Sequence, residues 1–205
     1  EGILKHCSRT NAKHLEAIKP NGVAERFLEN SKLRSPSLEA QLCNLAENIA
    51  YNAHDIDDGV RSGLLSLDQL SECNLFEAYR LETLSQFPHL VGRRLLFESI
   101  RRMLSAQVYD VIAATTANIE QASPKSSTDV RQSKPLVAFG EPMRLQSLEL
   151  NRFLLTNLYR HPQVMETTER AQNIVVELFA AYCNDPAQFQ FDEKVSTVSL
   201  HRAVS

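Results

Sequence analysis

The sequence has few of the features that mark membrane-spanning, secreted or P-loop proteins. No apolar run approaches the roughly 18–20 residues that a helix needs to cross a bilayer. The first residues, EGILKHCSRT, lack the basic-then-apolar pattern of a signal peptide. The sequence contains neither a G-x-x-x-x-G-K-[S/T] phosphate loop nor a G-x-S-x-G nucleophile elbow. We therefore expect no membrane span, no P-loop chemistry and no α/β-hydrolase chemistry.

Cysteine is also sparse, and its spacing is uninformative. No two cysteines form a C-x-x-C pair, so neither a zinc ribbon nor a disulfide framework is indicated. Free thiols in a reducing cytosol are the simplest interpretation, and a cytoplasmic location is expected. The sequence does not start with methionine, and we expect that the chain begins within a longer protein. The four cysteines are Cys7, Cys43, Cys73 and Cys183.

The composition is that of an ordinary globular protein. Of the 205 residues, 43% are hydrophobic and 23% are charged, which is enough to bury a core. The formal net charge of -3 indicates that the chain as a whole does not bind polyanions. Only six glycines and eight prolines occur, and they mark boundaries between periodic segments. We expect one α-helical domain over residues 1–205.

The longest periodic segments predict helices. Ser35 or Ser37 can cap a helix that runs to Gly63, because apolar residues recur there at three-, four- and seven-residue steps. Similar patterns predict helices over 90–122, 145–160 and 164–184, with shorter ones over 66–73 and 75–87. The fold class predicted is an all-α, multi-helix bundle with long helices and one long polar loop.

Three segments do not fit a helical period. Residues 123–135 are polar and bounded by proline, and we expect a mobile loop. Residues 136–140, LVAFG, are the only short run with β character. Residues 186–205 show no clear element, and we expect an irregular tail.

Three side chains on the first long helix form a candidate site. Each helical residue turns about 100° and rises about 1.5 Å, so Glu47, Tyr51 and Asp55 form one slanting stripe about 12 Å long. The stripe offers a carboxylate, a phenol and a second carboxylate. A metal or phosphate at the Glu47 end and a sugar hydroxyl at the Asp55 end fit this length, although a solvated polar face is the plainer interpretation.

The stretch SLEAQLCNLAENIAYNAHDIDDGVRSGL, residues 37–64, resembles the deoxyguanosinetriphosphate triphosphohydrolase-like family of the HD superfamily. Further similarity lies in EGILKH, RRLLFESIRRMLSAQVYDVI, FLLTNLYRHPQV and ERAQNIVVELFAAY. Together these motifs cover most of residues 1–185. The resemblance implies an HD-type helical fold, of which this chain is the C-terminal part.

The resemblance assigns roles to four residues. Glu47 matches the carboxylate that is the fourth metal ligand, although the family usually has Asp there. Tyr51 and Asp55 match residues that contact the nucleotide, with Asp55 accepting a hydrogen bond from the sugar 3′-hydroxyl. Lys5 resembles a lysine near the phosphates. His54, beside Asp55, is expected to pack or cap locally, because the His-Asp dyad of the superfamily lies upstream of EGILKH.

The implied reaction is hydrolysis of a deoxynucleoside triphosphate to deoxynucleoside and triphosphate, assisted by Mg²⁺ or Mn²⁺ in the intact protein. This chain lacks the upstream metal ligands, so we expect it to hold no metal and to be inactive alone. A homo-oligomer is also implied. The alternatives are a non-catalytic regulatory or oligomerisation module, or a module that binds single-stranded nucleic acid through Arg93, Arg94, Arg101 and Arg102.

Overall fold

The structure is a computed structural model, and it describes residues 35–184. Within that range the chain forms helices and no β-strand, which confirms the all-α prediction. The elements, in chain order, are α1 (Leu38–Arg61), α2 (Leu67–Leu70), α3 (Asn74–Gln86), α4 (Gly92–Ala122), α5 (Ser127–Gln132), α6 (Glu141–Leu154), a π-helix (Leu155–Tyr159) and α7 (Pro162–Asn184).

The structure divides into two compact units, with the boundary between Leu155 and Thr156. The first unit contains α1 to α6, and the second contains α7. The single domain over residues 1–205 stays a prediction. The irregular tail predicted over 186–205 lies outside the described residues.

Helix α1 forms where the sequence predicted it. The side chain of Ser37 accepts a hydrogen bond from the backbone N–H of Ala40 at 3.4 Å and caps the helix. The helix ends at Arg61, and Gly63 follows with a φ of +77°. Glycine adopts this left-handed conformation without a steric penalty, which explains why the helix stops there.

The core of the first unit lies between four helices. Helix α3 packs against α4 and α6, and α1 packs against the same two helices. The largest fully buried side chains include Ile56 on α1, Phe76 on α3, Met103 on α4 and Leu150 on α6. Because each helix contributes to this one core, α1 is held in place along its buried face.

Residues 136–140 are not a strand, and the expectation of β character there was wrong. The segment is irregular. Its backbone is hydrogen-bonded by side chains, whereas the backbone of a strand would bond to a neighbouring strand. Gln41 Oε1 on α1 accepts hydrogen bonds from the backbone N–H groups of Leu136, at 2.8 Å, and Val137, at 3.1 Å. Buried amide hydrogens need such acceptors, and here a helix side chain supplies them.

The segment 123–135 contains structure that the sequence analysis missed. Helix α5 lies within it, and Ser126 and Asp129 form a capping box at its N-terminus. The capping pattern was readable in the sequence, but the helix is too short for an apolar period. The mobility expected of this segment stays a prediction.

The second unit is described by itself. Helix α7 begins at Pro162, in agreement with the prediction that this proline lies in the first helical turn. None of its residues is buried. Among the residues that the structure describes, no helix is long and apolar enough to cross a bilayer.

Candidate functional site

The three predicted site residues lie on one continuous helix, α1, as their spacing required. Glu47 and Tyr51 each lie two residues from the buried Ile49, and two residues turn the helix by about 200°. They therefore point away from the core on the opposite side of α1. Tyr51 is accordingly 59% exposed, and Glu47 is exposed as well.

Asp55 has a different environment from the other two. It is partly buried and lies next to Ile56, which is fully buried. The stripe thus runs from an exposed carboxylate at Glu47 to a carboxylate at the edge of the packed face. Of the three side chains, that of Asp55 therefore lies nearest to the packed core.

A divalent cation needs more ligands than the described residues bring together. Residues 35–184 contain no group of three or more His, Cys, Asp or Glu side chains that are placed to hold a metal ion. Glu47 alone offers one carboxylate, and a protein site for a catalytic metal has about three protein ligands. The described residues therefore do not form a metal site by themselves.

Two further predictions concern His54 and Lys5. His54, which was expected to pack or cap locally, lies on α1 and is exposed. Lys5 lies outside the described residues, so its role near the phosphates stays a prediction. The roles given to Glu47, Tyr51 and Asp55 also stay predictions.

The arginine pairs on α4 are not a uniform cationic face. Glu98 accepts hydrogen bonds from Arg101 at 2.7 Å and from Arg102 at 2.8 Å. Arg102 also donates to Glu82 on α3 at 2.6 Å, and only 13% of its side chain is exposed. Since its charge is paired and largely buried, Arg102 joins α3 to α4 and is poorly placed to bind phosphates.

The same network changes the acidity of its central carboxylate. The hydrogen bonds from Arg101, with those from Arg102, lower the pKa of Glu98 from 4.5 to about 2. Glu98 is therefore ionised at neutral pH.

Arg93 lies over the ring of Phe97, with its guanidinium carbon 5.1 Å from the ring centroid. The alternative function, binding of single-stranded nucleic acid, depended on four arginines. Arg102 is one of them, and its charge is paired and largely buried.

The sequence did not predict two features that involve helix α1. One is the binding of residues 136 and 137 by Gln41, a residue of the SLEAQ motif. A glutamine on the side of α1 that carries Ile49 and Ile56 was the available signal. The other is an apolar groove between α1 and α4, which depends on tertiary packing and had no signal in the sequence.

A match to a protein family model indicates the class of protein. Residues 137–203 match the model of the phosphohydrolase-associated domain, HD_assoc. This range includes α6 and α7 of the described structure. The all-helical fold agrees with the match, and this domain is found in phosphohydrolases of the HD superfamily.

Individual relatives narrow the class. The chain is 50% identical over 186 residues to the deoxyguanosinetriphosphate triphosphohydrolase-like protein of Ralstonia nicotianae, which covers 91% of this chain and 46% of that protein. The proteins of the same name from Bordetella pertussis and Nitrosomonas europaea are 47% identical over 186 residues and 38% identical over 207 residues. The two matches cover 91% and 100% of this chain, and 46% and 53% of the respective relatives.

The chain is therefore a homologue of the deoxyguanosinetriphosphate triphosphohydrolase-like proteins, and the predicted resemblance is confirmed. It spans about half the length of the curated relatives that it matches.

Proposed function

We propose that this chain is part of a metal-dependent deoxynucleoside triphosphate triphosphohydrolase. Its substrate class is dGTP-like, and its products are the deoxynucleoside and inorganic triphosphate. The names of the relatives support this substrate class. The observation that carries the proposal within the chain is the placement of Glu47, Tyr51 and Asp55 along one helix, on and beside the side that faces away from the core.

The length and chemistry of this stripe suit an extended polar ligand. Glu47 and Asp55 are eight residues apart, or about 12 Å along the axis. Tyr51 lies between them and offers an exposed ring and a hydroxyl group. A nucleotide lying along α1 can present a phosphate near one end of the stripe and its sugar near the other.

Each residue is given a specific task in this proposal. The Asp55 carboxylate accepts a hydrogen bond from the sugar 3′-hydroxyl and fixes the orientation of the nucleoside. Tyr51 contacts the nucleotide between phosphate and sugar, where its flat ring excludes water. Glu47 contributes one carboxylate to a divalent cation, Mg²⁺ or Mn²⁺, whose other ligands lie outside residues 35–184. When bound, such an ion supplies electrostatic stabilisation of the phosphate charge.

The test measures triphosphate release from dGTP by the longer protein that contains this chain, with Mg²⁺ or Mn²⁺. Loss of the Asp55 charge removes a hydrogen bond to a charged group, so kcat/KM should fall by about 10- to 100-fold. Glu47→Gln should lower kcat and raise the metal concentration needed for half-maximal rate. The site variants, each followed by its matched exposed control, are Glu47→Gln with Glu72→Gln, Tyr51→Ala with Tyr109→Ala, and Asp55→Asn with Asp68→Asn.

The controls separate a site from a surface. The three control variants should keep the activity of the parent, since those side chains are exposed or partly exposed residues elsewhere in the first unit. Equal losses in site and control variants would refute the assignment of the stripe. Nucleotide binding without any triphosphate release, in the parent protein, would favour the non-catalytic regulatory module instead.

A further inference from the structure

His54 lies in the middle of α1 and is exposed. The helix is capped at Ser37 and Ser62, so a residue in its middle caps neither end. Because His54 is exposed, it is not part of the core either. The acidic side chain one turn further along α1, Asp58, already accepts a hydrogen bond from Arg61 at 2.6 Å. Neither core packing nor helix capping therefore explains a histidine at this position.

The direction of His54 around α1 matches that of the proposed site. Each residue turns the helix by about 100°, so His54 lies only about 20° from Glu47, whereas Asp55 lies about 80° from Glu47. Tyr51 is one turn before His54 and shares its side. By the same geometry His54 points about 140° away from Ile49, which is buried. The side of α1 that carries Glu47 and Tyr51 therefore carries His54 as well.

The side chain of His54 has room to reach towards the Glu47 end of the stripe. Side chains on an α-helix lean towards its N-terminus and cover the turn before their own Cα atom. The residue one turn before His54 is Ala50, which is exposed and whose side chain is a single methyl group. The imidazole ring can therefore lie over Ala50, closer to Glu47 than the backbone of His54 is.

We infer that His54 donates a hydrogen bond to an oxygen of the α-phosphate of the bound nucleotide. The inference rests on the proposed function, in which the sugar 3′-hydroxyl meets Asp55 and the phosphates extend towards Glu47. The α-phosphate is joined to the sugar through the 5′-oxygen, so it lies between these two ends. His54 has almost the same height on α1 as Asp55 but lies about 100° around the helix, on the Glu47 side.

The two adjacent side chains then hold the nucleotide from two directions. The Asp55 carboxylate accepts a hydrogen bond from the sugar, and an N–H of the His54 imidazole donates one to the phosphate. A hydrogen bond to an ionised oxygen is about twice as strong as one between neutral groups. The loss of either contact should therefore be measurable, and the two losses should depend on different parts of the substrate.

The experiment uses the longer protein that contains this chain and compares dGTP with 2′,3′-dideoxyguanosine triphosphate (ddGTP), which lacks the 3′-hydroxyl. His54→Phe keeps a flat ring and removes the N–H donor, so kcat/KM should fall by about 10- to 100-fold with both substrates. Asp55→Asn should lower kcat/KM with dGTP only, because ddGTP offers the carboxylate no hydroxyl group. His54→Gln keeps an N–H donor and should stay within about fivefold of the parent.

The matched control is His89→Phe, because His89 is also exposed and lies between α3 and α4. This variant should keep the kcat/KM of the parent, and neither histidine substitution should change the thermal unfolding temperature much. Parental kcat/KM in His54→Phe would identify an ordinary surface histidine and overturn the inference. An equal loss in His54→Phe and His54→Gln would also overturn it. So would a loss with dGTP but not with ddGTP, which would place His54 at the 3′-hydroxyl.

Nucleotide binding separates this inference from the proposed function. Isothermal titration calorimetry measures the affinities of the parent and of His54→Phe for dGTP and for deoxyguanosine, which has no phosphate. Weaker binding of dGTP by His54→Phe, with equal affinities for deoxyguanosine, supports the inference even if the parent releases no triphosphate. Triphosphate release that is unchanged in His54→Phe supports the enzyme and contradicts the inference. A parent that neither binds dGTP nor releases triphosphate contradicts both.

Discussion

Gln41 should be one of the most sensitive polar residues in the first unit. Its side chain is only 7% exposed and joins three backbone groups from two distant parts of the chain. Its Oε1 accepts from the N–H groups of Leu136 and Val137, and its Nε2 donates to the carbonyl of Pro36 at 2.9 Å. Gln41→Leu keeps the size of the side chain and removes all three hydrogen bonds.

The magnitude follows from where those groups lie. A buried polar group without a partner costs about 1–3 kcal/mol. The bond to Leu136 is buried, while those to Val137 and Pro36 are partly buried, so water can compensate part of their loss. Counting the first in full and the other two at about half, we expect the free energy of unfolding to fall by about 2–6 kcal/mol.

Urea unfolding followed by circular dichroism at the helix band measures this loss. Hydrogen exchange of the Leu136 and Val137 amides measures the local effect, and both amides should exchange faster in the variant. Gln121→Leu is the control, since it makes the same change at an exposed position on α4 and should alter stability by less than about 0.5 kcal/mol. A Gln41→Leu variant as stable as this control, with unchanged exchange, would refute the reasoning.

Three other predictions concern the same unit. The pKa of Glu98 is lowered to about 2 in the folded chain, so its contribution to stability is present above about pH 4.5 and is lost as the pH falls towards 2; Glu98→Gln should flatten the acid limb of a plot of unfolding temperature against pH. Asp110→Ala removes the acceptor of the Gly140 N–H, at 2.7 Å, and should cost about 1–2 kcal/mol in urea unfolding, whereas Asp110→Asn keeps an acceptor and should cost less. Ile56→Ala creates a cavity at a fully buried position and should cost about 2–5 kcal/mol in the same assay; a loss below about 1 kcal/mol would show that the core around α1 is loosely packed.

The helices were predictable where local signals and the apolar period agree. For α1, the serine cap, the spacing of buried residues and the terminal glycine all lie within the segment itself, and the observed bounds are within two residues of the prediction. Residues 136–140 had a locally apolar sequence as well, but their backbone is bound by side chains from distant positions, among them Gln41, about 95 positions earlier in the chain, and Asp110. Periodicity carries no information about such a partner.

The candidate site was predictable in part for the same reason. Positions four residues apart on a helix share a side whatever surrounds the helix, so the stripe follows from the sequence once α1 exists. Which arginines on α4 are available does not follow in this way. Arg101 and Arg102 are adjacent in sequence, yet Arg102 reaches Glu82 on another helix while the side chain of Arg101 remains 62% exposed, because the two side chains point about 100° apart around α4.

The packing of α1 sets the position of the Glu47 carboxylate in the proposed site. Helix α1 is packed along one side through Ile49 and Ile56, both of which are buried. This packing sets the position of the backbone at residue 47. Glutamate is one methylene longer than the aspartate that the family resemblance implies at this position, which places its carboxylate about 1 Å farther from the backbone. On the proposed function, Glu47→Asp draws the carboxylate back by about 1 Å and should raise the Mg²⁺ or Mn²⁺ concentration needed for half-maximal triphosphate release.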